Sequence, residues 1–387
     1  MKRKELSIYI HIPFCKRKCN YCDFCSFTDG TEELHSRYVG RICEEIRSAS
    51  VSAQGYAVKT VYFGGGTPSL LDASLFERLL STLRESFCVD EAAEITLECN
   101  PATAREGFFE KLRAIGVNRL SIGLQSADDT ELAALGRLHS YADFEHTYFA
   151  ARSAGFDNIS VDLMYGLPDQ TLDGFKYSLD KVVSLTPEHI SSYLLKIEEG
   201  TAFWKRASEL RLPDEDTQLQ MYRMMTNYLC EKGYYKYEVS NFALAGFESR
   251  HNVGYWTGRE YLGFGVAAYS FFRGERFGNS RDLDAFLSGK DITEERESIG
   301  EDDAAFEFVM LGMRMGEGIS LSEYERRFSR SFERDFPSAE RFEGYGLLRR
   351  EGDRLSFTDE GFFVSNTVLA EFLSDFSKAV DTDGKML

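Results

Sequence analysis

Between residue 6 and about residue 200, short apolar segments alternate with amphipathic ones, and this alternation constrains the fold more than any single motif. Residues 6–12, 58–63, 94–98, 119–124, 159–164 and 190–197 are short, rich in β-branched residues and apolar on both faces, as strands of a buried parallel sheet are. Between them, residues 32–50, 74–86, 104–115 and 141–154 carry a helical period, and Gly116, Gly155 and Gly233 stand where helix C-caps are expected. Alternating strand and helix units imply a parallel sheet with right-handed crossovers. The expected fold class is α/β: six units make a partial, open (β/α)6 barrel, and a doubly wound sheet is the competing topology.

After residue 236 the rhythm changes. Residues 237–242, 254–256 and 261–273 read as short strands and turns rich in glycine and aromatics, a small α+β extension. Helical patterns return at 303–315, 321–328 and 338–345. A strand pair at 347–350 and 354–357 and a helix at 359–373 follow, which together predict a C-terminal winged-helix-like domain, with a frayed end from about Lys378. The expected division is a core barrel over 1–235, an extension over 236–300 and the C-terminal domain over 301–378. A chain of 387 residues is too long for one core, which agrees.

The net charge of −18 argues against nucleic acid as a partner, because a nucleic-acid binder presents a basic face. The first 19 residues are the exception, with Lys2, Arg3, Lys4, Lys16, Arg17 and Lys18. They form either a solvated start of the chain or a positive rim around an anionic ligand. No run of 18 apolar residues and no apolar leader segment is present, so a cytoplasmic location is expected. In that compartment thiols stay reduced. The eight cysteines are therefore not read as disulfides, and the four that crowd into residues 15–25 suggest a metal.

Those four lie in Tyr9-Ile-His11-Ile-Pro13-Phe14-Cys15-Lys-Arg-Lys-Cys19-Asn-Tyr21-Cys22-Asp-Phe24-Cys25, directly after the first strand. The spacing C-x3-C-x2-C on one loop can hold three irons of a 4Fe–4S cubane on Cys15, Cys19 and Cys22. The fourth iron is then free for the amine and carboxylate of S-adenosylmethionine. A tetrahedral zinc site is the rival, with Cys25 or His11 as fourth ligand, but no second C-x2-C pair follows. Other polar residues also stand at strand C-terminal ends, where parallel α/β folds bind ligands. They are the Gly64-Gly65-Gly66-Thr67-Pro68 turn, Glu98, Gln125 and Asp162.

The cysteine pattern resembles the radical S-adenosylmethionine (radical SAM) superfamily. His11-Ile-Pro-Phe-Cys15, Cys22-Asp-Phe24, Ile122-Gly-Leu-Gln-Ser126, Asp162-Leu-Met-Tyr-Gly-Leu-Pro168 and His251-Asn252-Val-Gly-Tyr255-Trp256 are similar to the branch of oxygen-independent coproporphyrinogen III oxidase and its haem-chaperone relative, HemW. The resemblance implies S-adenosylmethionine contacts at Tyr9, Tyr21, Gly65, Gly66, Thr67, Glu98, Gln125, Arg137 and Asp162. It also implies an electron donor for the cluster. The oxidase pattern has a further cysteine where Phe24 stands, so the resemblance favours the chaperone form. That form implies haem or a porphyrin as cargo, His251 as a haem-contacting residue flanked by Tyr255 and Trp256, and haem-accepting proteins as partners; it is compatible with peripheral membrane contact. Ser249 stands where relatives often carry a cysteine. The oxidase activity, decarboxylating two propionates of coproporphyrinogen III, is the alternative. A winged-helix regulator with a sensor cluster is a third reading, which the acidic balance disfavours.

Overall fold

The computed structural model describes residues 3–28, 30–101 and 103–384, the last four by backbone alone; Lys2 of the basic start lies outside them. Two compact units result, Met1–Met221 with Glu260–Glu297, and Tyr222–Arg259 with Ser298–Leu387. Residues 236–300, expected as one extension, are thus shared between the two.

In the first unit six strands, β1 (Lys4–Ile12), β2 (Tyr56–Gly65), β3 (Val89–Cys99), β4 (Arg119–Gln125), β5 (Ile159–Tyr165) and β6 (His189–Leu194), lie side by side in chain order, each pair parallel. This is the partial (β/α)6 barrel. Leu6, Ile8, Ile10 and Ile12 are fully buried on one face of β1, and Ser7 and His11 are buried on the other. A strand covered on both faces reads as the nearly continuous apolar run seen in the sequence. The helix α1 (Glu32–Ser50) packs through Tyr38, Val39, Ile42 and Ile46, spaced three and four apart, and starts where the Thr31 side chain accepts the Leu34 N–H. Beyond β1 the sheet continues with Tyr261–Phe264, parallel to it, and the antiparallel strands Tyr269–Phe272 and Glu275–Asn279.

The second unit holds a three-stranded antiparallel sheet, in the order Ile319–Ser320, Arg354–Phe357, Leu348–Glu351, with helices Glu301–Gly312, Leu321–Phe328, Ser338–Gly344 and Ser365–Gly384. This is the winged-helix-like part. Its core is aromatic: Phe336 is fully buried, with ring centroids 4.9 Å from Phe332, 5.3 Å from Phe372 and 5.5 Å from Phe376. Asp335 beside it is buried and accepts from Tyr324 Oη at 2.7 Å and Arg330 Nε at 2.6 Å.

Several expected elements differ. Residues 254–256 end a helix, Arg250–Trp256, rather than forming a strand, because the Ser249 side chain caps its start by accepting the Asn252 N–H. The helix expected over 104–115 begins only at Phe108, after Gly107 in a left-handed conformation. The helix expected over 359–373 is two, Asp359–Phe363 and Ser365–Gly384, and the second runs on past Lys378 as regular helix. Residues 385–387 of the expected frayed end lie outside the described residues.

Replacing Phe336 by Ala leaves a large cavity among four rings, and should lower the unfolding free energy by about 3–5 kcal/mol. Tyr345→Ala, at an exposed ring, should stay within about 0.5 kcal/mol. Urea titration of both variants separates the two outcomes.

Candidate active site at the ends of the barrel strands

The cysteine loop is closed at its base by the backbone. Cys15 N–H donates to Phe27 O at 2.9 Å, and Phe27 N–H donates to Pro13 O at 2.6 Å. Farther out, Cys22 N–H turns back to Cys19 O at 3.2 Å. Asn20 ties the loop to the chain after β4: its N–H reaches Leu135 O at 2.9 Å and its Nδ2 reaches Ala134 O at 2.8 Å. The loop so held leaves Cys15, Cys19 and Cys22 partly exposed as free thiols, while Cys25 is buried. Among the described residues no three Cys, His, Asp or Glu side chains converge as ligands of one ion must. A cubane takes one thiolate per iron, which sets its thiolates farther apart.

His11 braces this loop from below. Its Nε2 lies 2.9 Å from Cys25 O and its Nδ1 lies 2.9 Å from Tyr9 Oη. A carbonyl only accepts, so Nε2 carries the proton and Nδ1 accepts from the tyrosine. Burial lowers the His11 pKa, in keeping with a neutral ring. Both nitrogens are engaged, which removes His11 as a fourth metal ligand.

The end of β2 meets the loop through bare backbone. Gly65 has φ +116°, and a Cβ there would sit 2.5 Å from His11 Cε1; a Cβ on Gly66 would sit 2.8 Å from Phe14 O. Only glycine fits either position. Thr67 Oγ1 follows and donates toward Cys15 Sγ at 3.4 Å.

Two carboxylates stand inside the barrel. Glu98, from β3, accepts from Tyr62 Oη at 2.9 Å and from Gly65 N–H at 3.1 Å. Burial pushes its pKa up to about 7; the Asp162 charge adds to the rise, and the hydrogen bonds from Tyr62 and Gly65 oppose it. Asp162, from β5, accepts from Ser121 Oγ at 3.0 and 3.3 Å, and burial raises its pKa too. Arg137 spans the far wall. Its Nη2 donates to Gly123 O at 2.7 Å and Asn100 Oδ1 at 3.1 Å, and its Nη1 points at Cys19 Sγ at 3.6 Å. Its buried Nε has no hydrogen-bond partner among the described residues. Tyr21, partly buried with its hydroxyl pKa raised by desolvation, bonds to the same guanidinium. Gln125 sits where the β4–β5 register shifts, with φ +77°, a conformation that costs energy in a non-glycine residue. A cavity of about 160 Å³ opens here, with Cys19, Thr67, Asn100 and Arg137 in its wall.

The structure therefore brings Tyr9, Tyr21, Gly65, Gly66, Thr67, Glu98, Gln125, Arg137 and Asp162 to one end of one barrel with the three cysteines. Tyr62, Asn100 and the bracing role of His11 were not singled out from the sequence, where Tyr62 and Asn100 carry no motif of their own. His251 lies in the second unit. It is 1% exposed and its Nε2 is 3.0 Å from Tyr255 Oη, so the imidazole is turned inward. The helix that carries it is held at both ends: Ser249 N–H donates to Tyr237 Oη at 3.1 Å, and Trp256 Nε1 donates to Glu238 Oε2 at 2.8 Å. Burial pushes the Glu238 pKa up to about 7, against hydrogen bonds from Ser240, Trp256 and Asn241.

The fold and the cysteine loop are those of the radical SAM superfamily, whose family model matches residues 9–182; a HemN C-terminal domain matches residues 299–364. The solved structure of coproporphyrinogen III oxidase (HemN) from Escherichia coli, a radical SAM enzyme, shares the fold with a TM-score of 0.84. It covers 96% of this chain and 91% of that one at 23% identity. Curated proteins named heme chaperone HemW are similar along nearly their whole length. The Lactococcus lactis protein is 35% identical over 97% of this chain and 99% of its own, and the Escherichia coli protein is 34% identical over 97% and 100%. The Bacillus subtilis protein is 31% identical over 95% and 99%. The chain belongs to the HemW family. The superfamily implies a 4Fe–4S cluster and S-adenosylmethionine as cofactors.

The raised carboxyl of Glu238 gives a pH test. It titrates near 7 in the folded chain and near 4.5 unfolded. Between those values the folded chain holds the extra proton, so this group makes stability fall as pH rises from about 4.5 to 7 and adds no slope above. Glu238→Gln should remove roughly 1–3 kcal/mol of that fall. Urea unfolding at pH 5 and pH 8 reads it; an equal effect of the substitution at both values would show the carboxyl charged throughout.

Proposed function

We propose that this chain is a haem chaperone that holds a 4Fe–4S cluster on Cys15, Cys19 and Cys22, binds S-adenosylmethionine beside it, and carries haem to acceptor proteins. The observation that carries the choice over the oxidase is at the loop's end. Phe24 occupies the place of the oxidase's further cysteine with its side chain in solvent, and Cys25 is buried, its carbonyl held by His11.

The donor set fits the cofactors. Three reduced thiols on one braced loop suit three irons. When bound, the cluster and S-adenosylmethionine supply one-electron chemistry at a sulfonium. The chain's own residues orient and shield. Gly65 and Gly66 let a ligand approach bare backbone, and Thr67 lies beside them for its amine. Glu98 and Asp162 offer acceptors to hydroxyl or amine donors, which would offset the cost of their burial. Arg137, with its unpartnered Nε, offers a donor to a carboxylate; Tyr21 and Gln125 fix that wall, and Tyr9 is oriented by His11. For haem, a neutral imidazole is a suitable iron ligand. His251 has to leave the Tyr255 hydroxyl to serve as one, so haem capture is coupled to breaking that bond. The helix of Tyr255 and Trp256 then lies against the apolar face.

The HemN likeness keeps coproporphyrinogen III oxidation as the reading to test against. Anaerobically reconstituted protein should hold roughly four irons; Cys15→Ala, Cys19→Ala or Cys22→Ala should abolish the absorption band, and Cys25→Ala should keep it. The same preparation should bind haem with a Soret shift that His251→Ala weakens or alters. Steady conversion of coproporphyrinogen III with S-adenosylmethionine and reductant would reverse the choice.

A further inference from the structure

Lys16, Arg17 and Lys18 have been given no role in the site described above. They are consecutive, all exposed, and sit inside the loop between Cys15 and Cys19. In a chain of net charge −18 a surface triplet of cations is out of keeping with its surroundings. Among the described residues none of the three forms an ion pair, so their charge is not spent on folding; Lys18 Nζ donates to Phe24 O at 3.1 Å. Two large apolar side chains stand in solvent beside them. Phe24 is 69% exposed, and Leu138, which shares the rim of the 160 Å³ cavity with Lys16 and Arg17, is 61% exposed. Cys19 lies in the wall of that cavity.

A small apolar spot rimmed by unpaired cations, next to a thiol ligand, has the anatomy of a transient docking face. Resting on the cluster reading, we infer that Lys16, Arg17, Lys18, Phe24 and Leu138 receive an acidic one-electron carrier protein. The cluster accepts electrons singly, and its ligand loop is here the exposed part of the site. The step is balanced simply: the carrier is oxidised by one electron, the cluster is reduced by one, and no bond forms or breaks. Weak redox complexes use small interfaces and rely on charge for steering, which this patch offers and the acidic remainder of the surface opposes. The other anionic occupants for such a patch are a nucleic acid and an anionic membrane.

The test uses the reconstituted full chain with reduced bacterial flavodoxin, an acidic flavoprotein, as the probe. Cluster bleaching is followed in stopped flow and flavodoxin binding by interferometry, the latter also on cluster-free protein. The second-order rate should fall at least about tenfold between about 20 mM and 300 mM salt, as screened attraction does. The Lys16→Gln/Arg17→Gln/Lys18→Gln variant should lose a similar factor with flavodoxin and change less than about threefold with dithionite. A salt-independent rate, or a variant reduced by flavodoxin as fast as the parent, overturns the inference. So does binding of duplex DNA or phosphatidylserine vesicles under conditions where flavodoxin does not bind. If no cluster forms, the cluster reading fails on its own, and binding to the cluster-free chain still reports on docking.

Discussion

The hydrogen bond between His11 Nε2 and the Cys25 carbonyl is the interaction on which the site depends. A long loop carrying reactive thiols has little apolar surface to bury, and it pays the entropy of ordering without the usual return. This loop is instead ordered by polar contacts at fixed points: two backbone bonds at its base, Asn20 in its middle and His11 at its end. Because His11 is on β1, whose residues from Leu6 to Ile12 are mostly buried, the loop takes its position from a strand of the barrel core. The same ring fills the space that a side chain on Gly65 would need. One imidazole thus forces the glycine turn, orients Tyr9 and sets the loop.

The carboxylates follow from the same geometry. Parallel strands in chain order place every C-terminal end on one side, so Glu98 and Asp162 enter one low-dielectric space, where hydroxyls and the Gly65 N–H donate to them. Both are raised in pKa chiefly by burial. Such groups are costly in the empty barrel and become less so when a ligand brings donors or positive charge. Arg137 is the complementary case, a guanidinium whose buried Nε is unsatisfied among the described residues.

The barrel was legible because each strand is buried on both faces, and local sequence records that directly; the cysteine spacing and the glycine turn were legible because their chemistry depends on near neighbours in the chain. What escaped depends on distance or on small capping choices. Asn100 follows β3 and Arg137 follows β4, so they meet across two neighbouring strand ends, and no spacing reports it. Residues 254–256 carry a glycine and two aromatics, which suit a strand, yet the Ser249 cap five positions earlier decides for helix. Ser249, notable in the sequence as the residue in place of a cysteine, is thus a structural cap.

The inward turn of His251 could not be read from its motif, and it changes how that motif must work. Tyr237 and Glu238 are adjacent in sequence and grip the two ends of the seven-residue helix Arg250–Trp256. With both ends fixed, the helix resists swinging as a unit, and the economical route to a free imidazole Nε2 is a change of side-chain rotamer that breaks its bond to Tyr255. A typical hydrogen bond contributes about 0.5–1.5 kcal/mol net, an amount that an iron–imidazole bond and the apolar contact of a porphyrin easily exceed. The closed imidazole therefore acts as a modest threshold rather than a lock. It keeps the buried His251 Nε2 satisfied when there is no cargo, and it releases that nitrogen when a ligand with an open iron and a large apolar face arrives.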